Sequence, residues 1–318
     1  MRIFRFFLLV ATFSFLRCVY PETQDEIETR LFLQQKYRLE GWCLAPYKGK
    51  YTNAEIIRMN DESFEVRVID TSIPLEKWPI ITVPIQFIKS FKHQTHTSLN
   101  SLTSCLKEFG ILKTPTIEQA YRSIDRQWFC PQNPYDDTAI DIGCHMVISS
   151  PHMHIFYLEL LKDQLPQATS ILDLGSGSGH LTALLADLTP HAKVIGIDYY
   201  DDLVSKSKDT CLKHLPTKVN DRITFLARDG INGYQDAAPY DIICVGFMYE
   251  EIPLPLVNQL NAGGILIVPI KTRTCSYSNK FQGGRLYVIK KDKNGLVEIN
   301  KGFSCSFVSA IQDQGKKN

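Results

Sequence analysis

Apolar and polar positions alternate with a period of two through 40–91, in the runs GWCLAPYKGKYTNAEIIRM, ESFEVRVID and WPIITVPIQFI. Gly49, Asn60-Asp61 and Pro79 divide them. That rhythm is the mark of half-buried strands, and it predicts a small β-barrel of four or five strands. Ahead of it, 22–38 (ETQDEIETRLFLQQKYR) reads as a short charged linker helix; behind it, the polar stretch 92–104 marks a domain boundary. From about residue 97 the rhythm changes. Helical patterns over 99–109 and 117–125 precede apolar, β-branched runs at 170–174, 193–197, 222–226, 240–245 and 264–269. Helical patterns at 181–188, 203–214 and 254–260 separate these runs. Strands alternating with helices predict a parallel sheet covered on both faces. The last runs, 285–291 and 296–307, predict an antiparallel hairpin turning at Asn294-Gly295. The expected fold is α/β, a doubly wound sheet preceded by a small all-β barrel. The expected divisions are an apolar segment 1–18, a linker helix 19–38, the barrel 39–92, an α/β domain 93–311 and a tail 312–318.

Composition adds few constraints. At 318 residues the chain has room for about two domains. A hydrophobic share of 44%, a charged share of 22% and a net charge of +1 give no reason to expect nucleic acid as a partner. The nine cysteines are scattered singly, without a CxxC pair or an N-x-Ser/Thr sequon to suggest export. Cys211 and Cys244 fall among predicted core elements and read as small buried hydrophobes. This usage leans towards a reducing compartment. The start leans the other way: Arg2 and Arg5 precede an apolar run from Phe6 to Leu16, and Arg17 ends it. The run falls short of the roughly 20 residues a membrane helix needs, and it fits the apolar part of a secretory signal or anchor.

The candidate chemistry lies between Ile171 and Gly230, in ILDLGSGSGHL, VIGID and LARDG. Asp173 closes the first predicted strand. Gly175, Gly177 and Gly179 follow at alternate positions, with Ser176 between, where a missing Cβ lets the backbone turn and approach a ligand. The helix over 179–188 then turns its N-terminus to the ligand. The dinucleotide pattern G-x-G-x-x-G is broken by His180. Asp198 closes the next strand, 25 positions after Asp173 (198 − 173), where a carboxylate can accept both ribose hydroxyls. Asp229 closes the third and can accept from an adenine amino group, with Gly230 leaving room for the ring. Each of these alone reads equally well as a strand-end cap or a tight turn. Three acids at the carboxyl edge of one sheet, where open α/β sheets bind ligands, point to an adenosine-bearing cofactor, S-adenosylmethionine foremost.

Residues from about 93 to 311 resemble the protein-L-isoaspartate (D-aspartate) O-methyltransferase family. The resemblance is carried by IDRQWF (124–129), PYDDTAIDIG (134–143), ISSPHMH (148–154), LELLKDQL (158–165), LDLGSGSGHLT (172–182), VIGID (194–198), RDGINGY (228–234), APYDIICVG (238–246) and LNAGGILIVPI (260–270). It implies a Rossmann-like methyltransferase sheet and methyl transfer from S-adenosylmethionine to the α-carboxylate of L-isoaspartyl and D-aspartyl residues in damaged proteins. The ester then closes to a succinimide that hydrolyses partly to normal aspartate. By the same resemblance Ser149 contacts the substrate carboxylate and the cofactor, with Ile148 beside it, and His154 lies by the cofactor. The residues alone leave Ser149 a second role, as N-cap of a helix beginning at Pro151. His152 and His154 sit two apart on that helix and face different ways, so no metal is expected.

Three segments depart from the family pattern. GFMYEEIP replaces small residues after Val245, bringing Phe247, Met248, Tyr249, Glu250 and Glu251. Met146-Val147 replaces an alanine–threonine pair, and Val308-Ser309-Ala310-Ile311 replaces V-P-L-T. The cofactor half is kept and the substrate half altered. A cofactor-binding adaptor without isoaspartyl turnover, or a methyltransferase with another carboxylate substrate, therefore stays open. The region 40–91 resembles a Tudor-type barrel, whose aromatic cages hold methylated lysine or arginine. Tyr47 and Tyr51 fall near two cage positions, whereas Val68-Ile69-Asp70-Thr71-Ser72 supplies no aromatic. A methylated-peptide ligand for the barrel and a monomeric state complete the expectations.

Overall fold

The computed structural model describes the strands over 42–47, 50–59, 63–68 and 80–84 by their backbone, and then residues 96–130, 132–276 and 281–309. The apolar start 1–18, the linker helix 19–38 and the tail 312–318 lie outside the described residues. The chain divides between His93 and Gln94 into two units.

In the first unit, β1 (Trp42–Tyr47), β2 (Lys50–Met59), β3 (Ser63–Val68) and β4 (Ile80–Pro84) form an antiparallel sheet in sequence order. The strands fall within the alternating runs. Among the described residues β1 and β4 share no ladder, so the closure expected of a barrel is not seen. Tyr47 stands opposite Lys50, and Tyr51 opposite Pro46. The side chains that would form the cage lie outside the described residues.

The second unit is built on a seven-stranded sheet. Its strands are β7 (Ser170–Leu174), β8 (Lys193–Asp198), β9 (Ile223–Ala227), β10 (Tyr240–Val245), β11 (Leu260–Ser276), β12 (Phe281–Lys291) and β13 (Val297–Val308). The order is β13-β12-β11-β10-β7-β8-β9. The ladders from β9 through β11 are parallel, and those of β12 and β13 are antiparallel. From β7 the chain winds outward to β8 and β9, then returns to β10 on the other side of β7. This reversal is the topological switch point where open α/β sheets hold ligands. The central strands are apolar because both faces are covered: Ile171, Leu172, Leu174, Ile242, Ile243 and Val245 are fully buried.

The helices are α1 (Leu99–Glu108), α2 (Pro115–Ser123), α3 (Pro151–Leu161), α4 (His180–Leu188), α5 (Asp201–His214), α6 (Thr217–Asn220) and α7 (Leu254–Asn258). α5 has Asp201 and Asp202 in its first turn and Lys213 and His214 in its last, which complements the helix dipole. α2 is tied to α3 by the buried Glu159, whose Oε1 accepts from the backbone N–H of Lys113 and of Thr114, both at 2.8 Å. These bonds satisfy donors at the start of α2 that the Thr114 side chain does not reach.

Three features differ from expectation. A hairpin, β5 (Ile140–Gly143) and β6 (Met146–Ile148), precedes α3. Its turn puts Cys144 and His145 at φ 52° and 60°, left-handed backbone that the sequence signals with neither Asn-Gly nor Asp-Gly. α7 stops at Asn258 because Gln259 and Leu260 are drawn towards the sheet: the Tyr240 N–H donates to the Gln259 carbonyl at 2.8 Å, and Tyr240 pairs with Leu260. The hairpin of β12 and β13 turns near Asn294-Gly295 as expected, and β12 begins four residues early, at Phe281.

Gly196 on β8 stands opposite Phe225 on β9. A Cβ at Gly196 would come within 2.7 Å of the Phe225 ring and 3.1 Å of Thr182 Oγ1. Gly196→Ala is expected to cost about 1–3 kcal/mol through overpacking, measured by urea unfolding. Phe225→Leu in the same background should recover part of the loss.

Candidate active site

Two lobes of one cleft open at the switch point. The first contains about 600 Å³ of empty space, lined by Gly175, Gly177, Ile197, Asp198, Asp229, Gly230 and Phe247 among others. The second contains about 470 Å³, lined by Ile148, Ser149, His154, Tyr157, Asp173 and Ser176 among others. Val147, Gly175, Gly177 and Gly246 line both, so the lobes meet over the glycine loop.

The loop after β7 is held by the end of β8. The N–H groups of Gly175 and Ser176 donate to the Ile197 carbonyl at 2.8 and 3.0 Å. The Gly177 N–H donates to Asp198 Oδ2 at 2.9 Å, and the Tyr200 N–H to Oδ1 at 3.1 Å. The Tyr199 N–H also bonds this carboxylate, which leaves one lone pair of the four for a hydroxyl ligand. Burial raises Asp198 above the ordinary carboxylate range, with the backbone bonds opposing. Gly175 has a left-handed φ of 72°, and a Cβ there would stand 2.8 Å from the Phe247 ring. Any side chain would fill the floor of the cleft.

Asp173 is the penultimate residue of β7 rather than its end, and it is buried beside α4. The Thr182 hydroxyl donates to its Oδ2 at 2.6 Å. Burial pushes its carboxyl up to about 7, and the neighbouring Asp198 adds to the rise. Asp229 lies two residues past the end of β9, exposed, with Oδ1 accepting the Ile231 N–H at 2.8 Å. That bond fixes the turn that brings Gly230 to the cleft. Gly179 lines neither lobe. With φ 83°, a Cβ there would meet Phe225 at 2.9 Å and Ser207 at 3.0 Å, so helix–strand packing accounts for the glycine. The other expected site residues, Ile148, Ser149, His154, Asp173, Gly175, Ser176, Gly177, Asp198, Asp229 and Gly230, all line one lobe or both.

The N-cap role considered for Ser149 passes to Ser150, whose side chain makes no capping bond. Asp137, from the preceding loop, takes that part: its Oδ1 accepts the His152 N–H at 2.9 Å and lies 2.8 Å from His152 Nδ1. Burial alone would raise the Asp137 carboxyl, but the interactions with His152 outweigh it and hold the group below its ordinary value. Ser149 is thereby left to line the second lobe. His152 and His154 do face different ways, His152 to Asp137 and His154 to His180.

The 247–251 segment resolves simply. Met248 and Tyr249 each make an isolated parallel bridge: the Met248 N–H donates to the Val308 carbonyl at 2.8 Å and the Tyr249 N–H to the Pro269 carbonyl at 3.0 Å. Tyr249 is buried, and its hydroxyl donates to the Ile231 carbonyl. The Glu250 side chain is 67% exposed and pairs with Lys271 at 2.7 Å. Glu251 is also exposed, and neither acid lines the cleft. Phe247 alone adds bulk there, beside Met146, Val147, Val308 and Ser309. Tyr157 was not foreseen. It follows His154 by three residues, on the same face of α3, and its hydroxyl donates to the Val245 carbonyl at 2.7 Å.

The family model described as protein-L-isoaspartate(D-aspartate) O-methyltransferase matches residues 97–315. The chain belongs to this family. A protein-L-isoaspartate O-methyltransferase of Triticum aestivum is 37% identical over 214 residues, covering 66% of this chain and 89% of the relative. One of Caenorhabditis elegans is 34% identical, covering 63% and 87%. A solved Plasmodium falciparum structure of the same type, in complex with S-adenosyl-L-homocysteine, is 28% identical with a TM-score of 0.61, covering 68% of this chain and 99% of that one. The family match spans the second unit's sheet and both lobes of its cleft.

The raised Asp173 carboxyl sets a pH dependence. Its folded value of about 7 lies above the ordinary 3.8, so the folded chain holds a proton that the unfolded chain releases between those values. Stability therefore falls as pH rises from about 4 to about 7, and the deficit persists above. Asp173→Asn is expected to raise the melting temperature by a few degrees at pH 8 and to flatten this slope, followed by calorimetry without ligand.

Proposed function

We propose that this cleft holds S-adenosylmethionine and that the chain methylates the free α-carboxylate of L-isoaspartyl and D-aspartyl residues, starting repair of damaged proteins. The observation that carries this reading is the meeting of the two lobes over Gly175 and Gly177, with the acids Asp198 and Asp229 in one and Ser149 in the other. The residues fit the group. The Ser176 hydroxyl is buried without a hydrogen-bond partner, as a ligand-facing polar atom would be. Ile197, Met146 and Phe247 give the first lobe apolar walls for an adenine, Asp198 would hold the ribose, and Asp229 with Gly230 the adenine edge.

When bound, S-adenosylmethionine supplies an electrophilic methyl on a positively charged sulfur. The acceptor carboxylate, with an ordinary pKa near 4, is already ionised at neutral pH and needs no base. Ser149 would therefore orient an oxygen. Phe247, Val147 and Val308 would exclude water, and the rate would come from alignment. Asp137 would hold Ser149 in place through the start of α3. The outward course of Glu250 and Glu251 supports access for an anionic substrate.

The wider reading follows the same lines. Residues 39–92 would be a separate module with a methylated-peptide ligand, 93–311 the catalytic domain, and the enzyme a cytoplasmic monomer without nucleic acid. No helix among the described residues is long and apolar enough to cross a membrane.

Labelled S-adenosylmethionine with an isoaspartyl peptide, and its aspartyl isomer as control, tests the activity. Label is expected in the isoaspartyl isomer alone. Asp229→Ala should weaken S-adenosylhomocysteine binding roughly tenfold or more, the scale of a hydrogen bond to a charged group. Ser149→Ala should lower kcat/KM for the peptide by a similar factor and weaken S-adenosylhomocysteine binding by less than Asp229→Ala does. Ligand binding without methyl transfer would turn the reading to an adaptor. Replacing Glu250 and Glu251 by glutamine should leave KM for the peptide within about twofold, since screened surface charges contribute little; a large fall in KM would show that they repel the substrate.

A further inference from the structure

His154 and His180 form a pair for which methyl transfer has no evident use. Nδ1 of His154 lies 3.0 Å from Nδ1 of His180, and Nε2 of His180 lies 3.4 Å from the Ile124 carbonyl oxygen. A carbonyl oxygen only accepts, so His180 carries a proton on Nε2. A neutral imidazole has a single N–H, which leaves Nδ1 of His180 as the acceptor and Nδ1 of His154 as the donor. The relay ends at Nε2 of His154, which then carries a lone pair. His154 lines the second lobe. Its Nε2 has no hydrogen-bond partner among the described residues, and it is not one of the fully sealed polar atoms.

The surroundings keep both rings neutral. Arg126 is fully buried, and its three guanidinium nitrogens have no hydrogen-bond partner among the described residues. Burial and this cation push His180 down to about 3. Burial, His180 and Arg126 drive His154 well below its ordinary range. The rings of Phe129 and Tyr121 close around His180, with centroids at 5.2 and 5.8 Å. Among the described residues no carboxylate hydrogen-bonds either imidazole.

We propose that His180, with Arg126, is a positioning residue that fixes His154 as the Nδ1–H tautomer, so that its Nε2 lone pair accepts from the ammonium group of bound S-adenosylmethionine. The proposal rests on the reading of the cleft given above. With the adenosine end at Asp198 and Asp229, the amino-acid end reaches the second lobe. An N–H at His154 Nε2 would set donor against donor there. The pre-set lone pair favours an ammonium and disfavours a carboxylate at the same point.

The full-length chain, labelled with ¹⁵N-histidine, decides the first half by long-range ¹H–¹⁵N correlation, with His154→Gln assigning the signals. At pH 7 His154 is expected as the Nδ1–H tautomer; an Nε2–H tautomer or an imidazolium would overturn the proposal. Calorimetry with S-adenosylhomocysteine and its analogue lacking the amino group decides the second half. His180→Phe removes the acceptor and leaves both tautomers open. A competent fraction of about one-fifth would raise the apparent Kd for S-adenosylhomocysteine about fivefold, with the deaminated analogue little changed. His180→Asn, which keeps an acceptor near the Nδ1 position, should restore most of the affinity. Equal weakening of both ligands in both variants would mean a purely structural role and sink the proposal. Failure of the unaltered chain to bind S-adenosylhomocysteine would sink the reading of the cleft and the ammonium contact with it, and the tautomer would still be decided by the spectra.

Discussion

The clasp between the β7 loop and the end of β8 is the constraint on which the second unit's chemistry depends. Three consecutive N–H groups, from Gly175, Ser176 and Gly177, are spent on the Ile197 carbonyl and the Asp198 carboxylate. A loop that turned by glycine freedom alone would sample many shapes, at the entropic cost glycine carries. Tying its amides to the neighbouring strand selects one. The same bonds place Asp198 in the lining of the first lobe and leave Asp173 beneath, protected by Thr182. Gly246, after β10, completes the floor from the other side, and its own N–H donates to the Leu174 carbonyl at 2.7 Å. The cleft thus sits where the sheet order reverses, and backbone hydrogen bonds of the switch point build its floor.

Charge is placed around this floor in an ordered way. The exposed Asp229 and the buried Asp198 line the first lobe together. Deeper in, burial keeps His154 and His180 uncharged and pushes the Asp173 carboxyl up to about 7. Burying an ion without a partner is costly, so a site that must admit a cation-bearing ligand gains from lining its inner end with neutral acceptors. Arg126 is the exception: a fully buried guanidinium without hydrogen bonds among the described residues. Its proximity to the two histidines gives that cost a purpose, since a fixed cation next to an imidazole opposes a second charge.

The parallel half of the fold was legible because its signals are local. Buried strands read as unbroken apolar runs, and the acids at their carboxyl ends announced the cleft before any geometry was known. Ten of the eleven expected site residues line it, and Gly179 does not because the helix–strand contact with Phe225 also demands a glycine. Less was legible where partners lie far apart in sequence. Asp137 caps α3 across 15 positions, and Glu159 caps α2 across 45. No short motif announces either bond. The hairpin of β5 and β6 was hidden for another reason, since Cys144 and His145 occupy left-handed backbone that glycine or asparagine usually marks.

The 247–251 segment shows how sequence bulk and site bulk come apart. A reading by composition puts two aromatic rings and two acids beside an anionic substrate. In the fold, the backbone of Met248 and Tyr249 is captured by isolated parallel bridges near Val308 and Pro269, and backbone held in bridges sends successive side chains to opposite faces. Tyr249 therefore enters the core, where its hydroxyl finds the Ile231 carbonyl, and Glu250 turns out to meet Lys271. Only Phe247, placed before the bridges begin, reaches the cleft. There its ring occupies the space that the missing Cβ of Gly175 leaves open, so bulk gained on one loop is matched by bulk absent from the other. The altered 247–251 segment and the glycine loop thus meet directly, with the Phe247 ring against the place where a Cβ of Gly175 would stand.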